Sequence, residues 1–209
     1  LISKHEIFFM KKLVNKLIKI KLLLILILIF TNSLHSQNGE KYPYSTDSTH
    51  LNVWNGTEYI PFFTKGVNLG ISVPGTFPGH LAATEEEYSR WFSQIKDAGF
   101  NCIRLYTLHY PRFYHVLDSF NTANPKNPLL IIQGVWLEEQ LTGYDHDLYF
   151  LSDAFRGEIE ENIDCVHGNR VIQPRPGKAD GTFDTDVSQW CLAYIIGREI
   201  SPYEILTTN

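Results

Sequence analysis

The feature that most constrains the fold of this chain is an alternation of short apolar runs with amphipathic segments between residues 62 and 197. Four runs have the length and composition of β-strands, namely "FFTKGVNLGI", "NCIRLYTL", "PLLIIQGVWLEE" and "WCLAYIIG". Three segments with helical periodicity separate them. Strands that are apolar along most of their length and alternate with helices predict a parallel sheet covered on both faces.

The three predicted helices carry recognisable end signals. In the first, Thr84 and Glu87 have capping-box spacing, and Gly99 suits the position just after the helix. Its single apolar face, with the spacing i, i+3, i+4, i+7, consists of Tyr88, Trp91, Phe92 and Ile95. The second helix, "RFYHVLDSFN", follows Pro111, a residue type favoured at helix starts. The third, "DAFRGEIEENIDCV", is more polar.

Two folds have this order of elements, the doubly wound sheet and the (β/α)8 barrel. A nucleotide-binding doubly wound sheet has GxGxxG after its first strand, whereas this chain has "GVNLGISVPGTFPG". The pattern therefore favours an α/β fold in which the four strands form the N-terminal half of a (β/α)8 TIM barrel, with a smaller sheet as the alternative. Before the first strand, "LNVWNGTEYIPFF" predicts a short β-hairpin with a type I′ turn at Asn55-Gly56.

The N-terminal segment has the layout of a secretory signal peptide. Lysines between residues 11 and 21 precede the unbroken apolar run Leu22–Phe30, and the polar segment "TNSLHSQ" follows. We interpret residues 1–36 as this signal, and in an alternative interpretation residues 1–9 are an upstream extension that is not translated. Residues 37–49 are interpreted as a linker and residues 50–209 as a truncated barrel domain. An uncleaved anchor is the alternative, but the apolar run is shorter than the roughly 20 residues of a spanning helix. We expect a secreted, periplasmic or cell-surface protein with no stable membrane span beyond the leader.

Charge and cysteine content narrow the function classes. Residues 37–209 contain 12 basic and 22 acidic side chains, a net charge of −10. Because nucleic-acid binding depends on Lys and Arg at phosphates, this balance argues against it and favours a neutral ligand. Cys102, Cys165 and Cys191 lack metal-binding spacing, so we interpret them as buried thiols, with a Cys102–Cys191 disulfide as the alternative. The acidic loop "GKADGTFDTD" lacks the twelve-position calcium pattern, and we expect no metal ion or cofactor.

Polar and aromatic residues follow the ends of the predicted strands, where a parallel barrel places its active site. In strand order they are Asn68; Arg104, Tyr106 and His109; Trp136, Glu138 and Glu139; and Arg198 and Glu199. Aromatic rings stack on the CH faces of sugars, and charged groups bond sugar hydroxyls. We predict a carbohydrate partner bound by Asn68, Arg104, Tyr106, His109, Trp136 and Glu138. The structural alternatives are an ion pair for Arg104, packing against the next loop for Tyr106 and His109, core packing for Trp136 and a solvated strand end for Glu199.

Four segments in order, "KGVNLG", "DAGFNCIRLYTLH", "GVW" and "YIIGRE", resemble the first half of a retaining glycosidase barrel, of the large clan with its acid/base on strand four and its nucleophile on strand seven. The resemblance covers residues 50–209 and implies that Glu199 is the acid/base and that Arg104 supports the nucleophile. The hairpin resembles the plug at the bottom of such barrels. Two departures are Arg198, where many clan members have Asn, and the lack of a strand-seven nucleophile.

The resemblance implies a secreted retaining glycoside hydrolase in the full-length parent, with the truncated chain itself inactive. A retaining mechanism needs two carboxyl groups about 5–5.5 Å apart, one of them protonated near neutral pH. Glu199 follows the apolar run "CLAYII", a setting that favours the protonated form. Strand alternation directs Arg198 to the opposite side, so that it need not keep Glu199 ionised. The alternative function is a non-catalytic carbohydrate-binding or surface protein.

Overall fold

The computed structural model describes residues 42–77, 80, 82–139 and 141–208, together with residues 19 and 21. The predicted signal peptide lies outside the described residues except for those two, as does the start of the predicted linker, residues 37–41. No helix within the described ranges is long and apolar enough to cross a membrane.

The described chain forms nine β-strands and four α-helices. In chain order they are β1 (Tyr44–Thr46), β2 (Leu51–Trp54), β3 (Tyr59–Phe62), β4 (Gly66–Leu69), α1 (Glu85–Asp97), β5 (Cys102–Leu105), α2 (Pro111–Ala123), β6 (Leu130–Val135), α3 (Ser152–Val166), β7 (Arg170–Ile172), β8 (Gly181–Phe183), β9 (Cys191–Ile196) and α4 (Pro202–Thr207). The chain is therefore a mixed α/β protein, as predicted.

The central sheet is parallel and has the order β4-β5-β6-β9, which is also the order of these strands along the chain. All four predicted strands and all three predicted helices are confirmed. Asn68 lies opposite Arg104, and Arg104 lies opposite Ile132, so these residues occupy one face of the sheet. No closed barrel is formed by the described residues.

Helices α1, α2 and α3 all pack on one face of this sheet. Phe92, Phe113 and Cys165 from the three helices share a core with Ile103 and Leu105 of β5, and all five are fully buried. Burial of one such aromatic side chain contributes about 1.5–3 kcal/mol. Helix α1 begins as predicted, because the Thr84 side chain accepts from the Glu87 N–H while the Glu87 carboxylate accepts from the Thr84 N–H.

The opposite face of the central sheet is covered by a different layer. Strands β1, β2 and β3 form an antiparallel sheet, and its residues Leu51 and Phe62 pack against Cys102 and Leu130. Further along the strands this face is open, and Asn68 is exposed. Both faces are thus covered as expected at the start of the strands, but helices supply only one of the two layers.

The predicted hairpin is confirmed as β2 and β3, but the predicted type I′ turn is wrong. The Asn55 N–H donates to the Glu58 carbonyl, so the tip of the turn consists of Gly56 and Thr57. Only Gly56 has a positive φ, whereas a type I′ turn needs positive φ at both central residues. The Asn55 side-chain oxygen accepts from the N–H groups of Thr57 and Glu58, which fixes this residue before the turn.

Four short elements were not predicted. Strand β1 lies inside the segment interpreted as a linker and pairs with β2. Strands β7 and β8 pair antiparallel within the segment interpreted as a long loop before the fourth strand. Helix α4 follows the fourth strand and begins with a capping box between Ser201 and Glu204. Each of these elements has three to six residues, too few for a periodic pattern to stand out.

The three cysteines are free thiols, so Cys102 and Cys191 form no disulfide, but Cys191 is only half-buried. Cys102 and Cys165 are fully buried, and burial raises the pKa of each thiol to about 12. They therefore stay protonated and act as small apolar side chains.

Candidate functional site

A cavity of about 570 Å³ lies beyond the carboxyl ends of β4, β5 and β6. We call it the strand-end cavity. Four of the predicted substrate-binding residues line it, namely Tyr106, His109, Trp136 and Glu138. Its volume is within the range of about 300–1,000 Å³ that is typical of small-molecule sites. Strand-end positions therefore converge here as the parallel sheet predicts.

Two aromatic side chains present accessible rings to this cavity. Tyr106 is 42% exposed and Trp136 is 38% exposed, so neither is a core residue. The Arg104 guanidinium lies over the Tyr106 ring, 4.5 Å from its centre. Gly134 of β6 lies against the backbone of this segment, and a Cβ there would lie 2.4 Å from the carbonyl oxygens of Leu105 and Tyr106. Only glycine allows β6 to approach the Tyr106 segment so closely.

His109 belongs to the wall of the cavity and is 1% exposed. Its Nδ1 is hydrogen-bonded to the Tyr88 hydroxyl at 2.7 Å, and its ring contacts the Phe113 ring with centroids 4.7 Å apart. Burial, reinforced by the nearby Arg112 guanidinium, lowers the pKa of His109 to about 3. The imidazole is therefore neutral and anchored to the core, although it lies where a substrate contact was predicted.

The charged groups around the cavity are paired. Lys178 Nζ lies 2.8 Å from Glu158 and 3.5 Å from Glu138. Arg175 lies 3.0 Å from Glu158 and also pairs with Glu161. The loop between β7 and β8 is thereby tied to α3 and to the segment after β6. Because positive and negative groups balance, the lining favours a neutral ligand over an ionic one.

Several lining residues were missed by the sequence interpretation, namely Glu158 and Asn162 of α3, and Arg175 and Lys178 of the loop between β7 and β8. Glu158 and Asn162 are four residues apart on one helix face, and the Asn162 amide donates to the Glu158 carbonyl. Helical spacing predicts that these two share a face. No local pattern shows that the loop basic residues would fold back onto that helix.

Asn68 and Arg104 are not among the residues that line the cavity. They lie opposite each other on the open face of the sheet. Nε of Arg104 is buried and has no hydrogen-bond partner among the described residues. Through its guanidinium over Tyr106, Arg104 adjoins the cavity without lining it.

Glu199 lies in a second hollow of about 460 Å³, which we call the Glu199 depression. It is lined by Glu139, Tyr144, His146, Arg198, Glu199, Ile200, Ser201 and Glu204. Glu199 is exposed, and its carboxylate has no hydrogen-bond or ion-pair partner in the part of the chain that the structure describes. The predicted acid/base is thus accessible but lies outside the strand-end cavity.

Arg198 is buried beside this depression, with a side chain only 5% exposed. Its guanidinium pairs with both carboxylate oxygens of Glu204 and lies 3.3 Å from Glu139. Nε donates to the Leu137 carbonyl at 3.1 Å, and Nη1 donates to the Glu199 backbone carbonyl at 2.9 Å. The guanidinium therefore contacts the backbone of Glu199 and not its carboxylate.

One segment, residues 136–139, separates the two hollows. Trp136 and Glu138 line the strand-end cavity, whereas Leu137 and Glu139 contact Arg198 at the Glu199 depression. This alternation places the predicted sugar platform and the predicted acid/base on opposite sides of a shared wall.

Among the described residues, no group of three or more His, Cys, Asp and Glu side chains is placed to hold a metal ion. Asp184 of the acidic loop pairs instead with His115 at 2.9 Å. Comparison with known protein families, curated proteins and solved structures finds no match to this chain.

Proposed function

We propose that this protein binds a neutral carbohydrate at the strand-end cavity and, in a chain with a complete barrel, hydrolyses its glycosidic bonds with retention. The observation that carries the proposal is the grouping of Tyr106, Trp136 and Glu138 around one charge-balanced cavity at the carboxyl ends of parallel strands. Exposed aromatic rings beside paired charges suit a ligand with apolar CH faces and many hydroxyls.

The half-barrel interpretation is part of this proposal. It is supported by the sheet order β4-β5-β6-β9, in which every strand neighbours the next one along the chain. A doubly wound sheet reverses direction at a switch point and has helices on both faces. Here helices α1, α2 and α3 share one face, and the small antiparallel sheet lies where a barrel would have its bottom plug.

Each residue has a role under this proposal. Trp136 and Tyr106 stack against the sugar, Glu138 accepts from its hydroxyls, and Asn68 and Arg104 border the site on the sheet. In this proposal the glycan extends past residues 136–139 to the Glu199 depression, where Glu199 protonates the glycosidic oxygen as the bond breaks and later accepts a proton from the attacking water. The second carboxylate, which attacks the sugar carbon, comes from a seventh strand in the proposed complete barrel, where Arg104 supports it.

A non-catalytic carbohydrate-binding protein is the second candidate function. It is favoured by the exposed Glu199 carboxylate, which has no partner among the described residues to orient it. The presence of Arg198, where many clan members have Asn, also favours it. This protein would use the same cavity and the same aromatic rings, but would leave glycosidic bonds intact.

Calorimetry of the purified chain with a panel of neutral oligosaccharides tests the binding step. We expect Trp136→Ala to weaken binding about tenfold, because loss of a stacked ring removes about 1.4 kcal/mol. Tyr149→Ala is the matched control, since Tyr149 is 74% exposed and is not a lining residue of the cavity. Equal affinity of the wild type and Trp136→Ala for every sugar, or no binding at all, contradicts the proposal.

The hydrolytic step is tested in a chain that includes the seventh strand. Glu199→Gln should lower kcat by about 10²–10⁴-fold, the usual contribution of a positioned acid/base group. Glu160→Gln, an exposed carboxylate on α3, is the control and should leave kcat unchanged. Sugar binding without turnover of any glycan would select the binding function instead.

Export is the remaining part of the proposal and rests on the signal-peptide layout of residues 1–36. N-terminal sequencing of the protein recovered outside the cytoplasm should give a start near residue 37. A mature protein that keeps Leu22–Phe30 would indicate an anchor.

A further inference from the structure

We infer that Arg198 is a positioning residue, which fixes the Glu199 segment against the wall formed by residues 136–139. The contacts of Arg198 do not depend on the proposed function, whereas their consequence for catalysis rests on it. It also gives a physical reason for an arginine at this position in place of the asparagine that the resemblance leads one to expect.

The inference starts from the way in which the β6–β9 ladder ends. The last paired residues are Val135 and Ile196, and the Gly197 N–H still donates to the Val135 carbonyl at 2.9 Å. Gly197 then turns the chain with a φ of 103°, a conformation that suits glycine. The next contact with the β6 side is made by a side chain, because Arg198 Nε donates to the Leu137 carbonyl. Arg198 thus keeps the two segments in register beyond the last paired residues of the strands.

The guanidinium is held in place from its other side by Glu204. The Glu204 carboxylate accepts from Arg198, from the Tyr144 hydroxyl and from the Ser201 N–H. Its contact with Ser201 is half of the capping box of α4, so one carboxylate both starts the helix and neutralises the arginine. Hydrogen bonds from Arg198 and then Tyr144 hold the pKa of Glu204 well below its usual range. The pair therefore stays ionised at neutral pH.

The same guanidinium reaches the acid/base segment directly. Nη1 donates to the Glu199 carbonyl at 2.9 Å, which fixes the backbone of Glu199 while its carboxylate stays exposed in the depression. Three separate segments are joined at one buried group: the wall at Leu137, the Glu199 backbone and α4 at Glu204. The guanidinium makes four hydrogen bonds to these three segments, two of them to the Glu204 carboxylate. A planar fork with five N–H donors can make all four at once, whereas a short amide has two donors and a lysine ammonium has three.

Amide hydrogen exchange of the full chain without any sugar tests this inference. Arg198→Lys keeps a positive charge for Glu204 but loses the fork, and Tyr144→Phe removes one bond to Glu204 and leaves the fork intact. We expect exchange at residues 197–201 to become about tenfold faster relative to that of β5 in Arg198→Lys, because the local opening free energy falls. The same ratio should change less than about twofold in Tyr144→Phe, which loses only a bond to the anchor.

Two results would overturn the inference. One is an exchange ratio in Arg198→Lys that matches the wild type. The other is a ratio that rises equally in both variants, which would indicate that any weakening of the Glu204 cluster loosens the segment and that the guanidinium fork has no specific role. Where turnover can be measured, kinetics give a second test. Arg198→Lys should lower kcat and leave KM within about threefold, since misplacement of an acid affects the transition state. Failure of every sugar to bind would end the proposed function and would leave the exchange result unchanged.

Discussion

The Tyr88–His109 pair and the Arg198–Glu204–Tyr144 cluster are both buried polar groups beside the candidate site. The first is neutral, whereas the second contains an ionised pair. His109 lies in an aromatic core with one hydroxyl as its hydrogen-bond partner, and burial keeps it neutral. Arg198 and Glu204 neutralise each other and are surrounded by further donors and acceptors. The number of polar partners therefore sets whether a buried side chain in this fold carries a charge or stays neutral.

The two groups respond differently to acid. His109 has a lowered pKa in the folded chain, so its contribution to stability is complete above the ordinary histidine value of 6.5 and is lost as the pH falls toward about 3. Glu204 also has a lowered pKa, but its ordinary value is 4.5. The contribution of Glu204 to stability is therefore complete between pH 6.5 and pH 4.5, where the contribution of His109 is already falling.

The greatest loss of stability is expected when one partner of the ionic cluster is removed. Arg198→Ala should lower the free energy of unfolding by about 3–5 kcal/mol, because it leaves the Glu204 carboxylate buried without its counter-ion. Denaturant titration at pH 7 measures this loss. The double variant Arg198→Met, Glu204→Leu should lose less than the single variant, since it buries no charge. A larger loss in the double variant would show that the ion pair itself supplies the stability.

The second prediction concerns the neutral pair and acid. Between pH 7 and pH 5 the unfolded chain takes up a proton at His109 and the folded chain does not, which should lower the free energy of unfolding by about 2 kcal/mol. His109→Gln should remove this part of the pH dependence in denaturant titrations at both pH values. His115→Gln is the control, because His115 is exposed and paired with Asp184. An unchanged slope in His109→Gln would contradict a neutral buried imidazole.

Two variants that each lack one tyrosine hydroxyl test whether charge strengthens these hydrogen bonds. Tyr144→Phe removes a hydrogen bond to the ionised Glu204 and should cost about 2 kcal/mol, whereas Tyr88→Phe removes one to neutral His109 and should cost about 1 kcal/mol. Thermal and denaturant unfolding at pH 7 measure both. Equal losses would mean that the charge on Glu204 adds nothing to its hydrogen bond.

The smallest effect is expected at a surface arginine with a similar set of partners. Arg170 lies 3.4 Å from both Glu161 and Asp164, but its side chain is 42% exposed. Arg170→Ala should change the free energy of unfolding by no more than about 0.5 kcal/mol, because water screens exposed ion pairs. A loss as large as that of Arg198→Ala would show that burial does not separate the two arginines.

Local patterns were sufficient for most of the fold. The capping box at Thr84 and the single apolar face behind it predicted α1, since both depend on residues within one or two turns. Helix α4 has the same signature at Ser201 and Glu204, but with only six residues it lacks the apolar periodicity that identifies a helix in a sequence. Strands β7 and β8 have three residues each, and a loop that contains proline and glycine separates them, so no alternating pattern marks them in the sequence.

The candidate site was predictable to the extent that strand ends meet at one edge of a parallel sheet. That rule brought Tyr106 and Trp136 to one cavity, because they follow neighbouring strands. It failed for Arg175 and Lys178, which reach the cavity from a loop whose position depends on pairing with α3. It also could not separate Glu199 from the cavity, since Gly197 turns the chain just before it.

The strands of the central sheet and the helices that cover it follow from the order of residues alone, because periodicity, caps and turn residues act between neighbours in the chain. The carboxylate that pairs with Arg198, in contrast, depends on how the whole chain folds. Glu199 is adjacent in sequence, but Glu204 is the carboxylate that is buried with the guanidinium and that α4 holds in place. An ion pair is selected by burial and by the other hydrogen bonds at the site, and both depend on parts of the chain that meet only on folding.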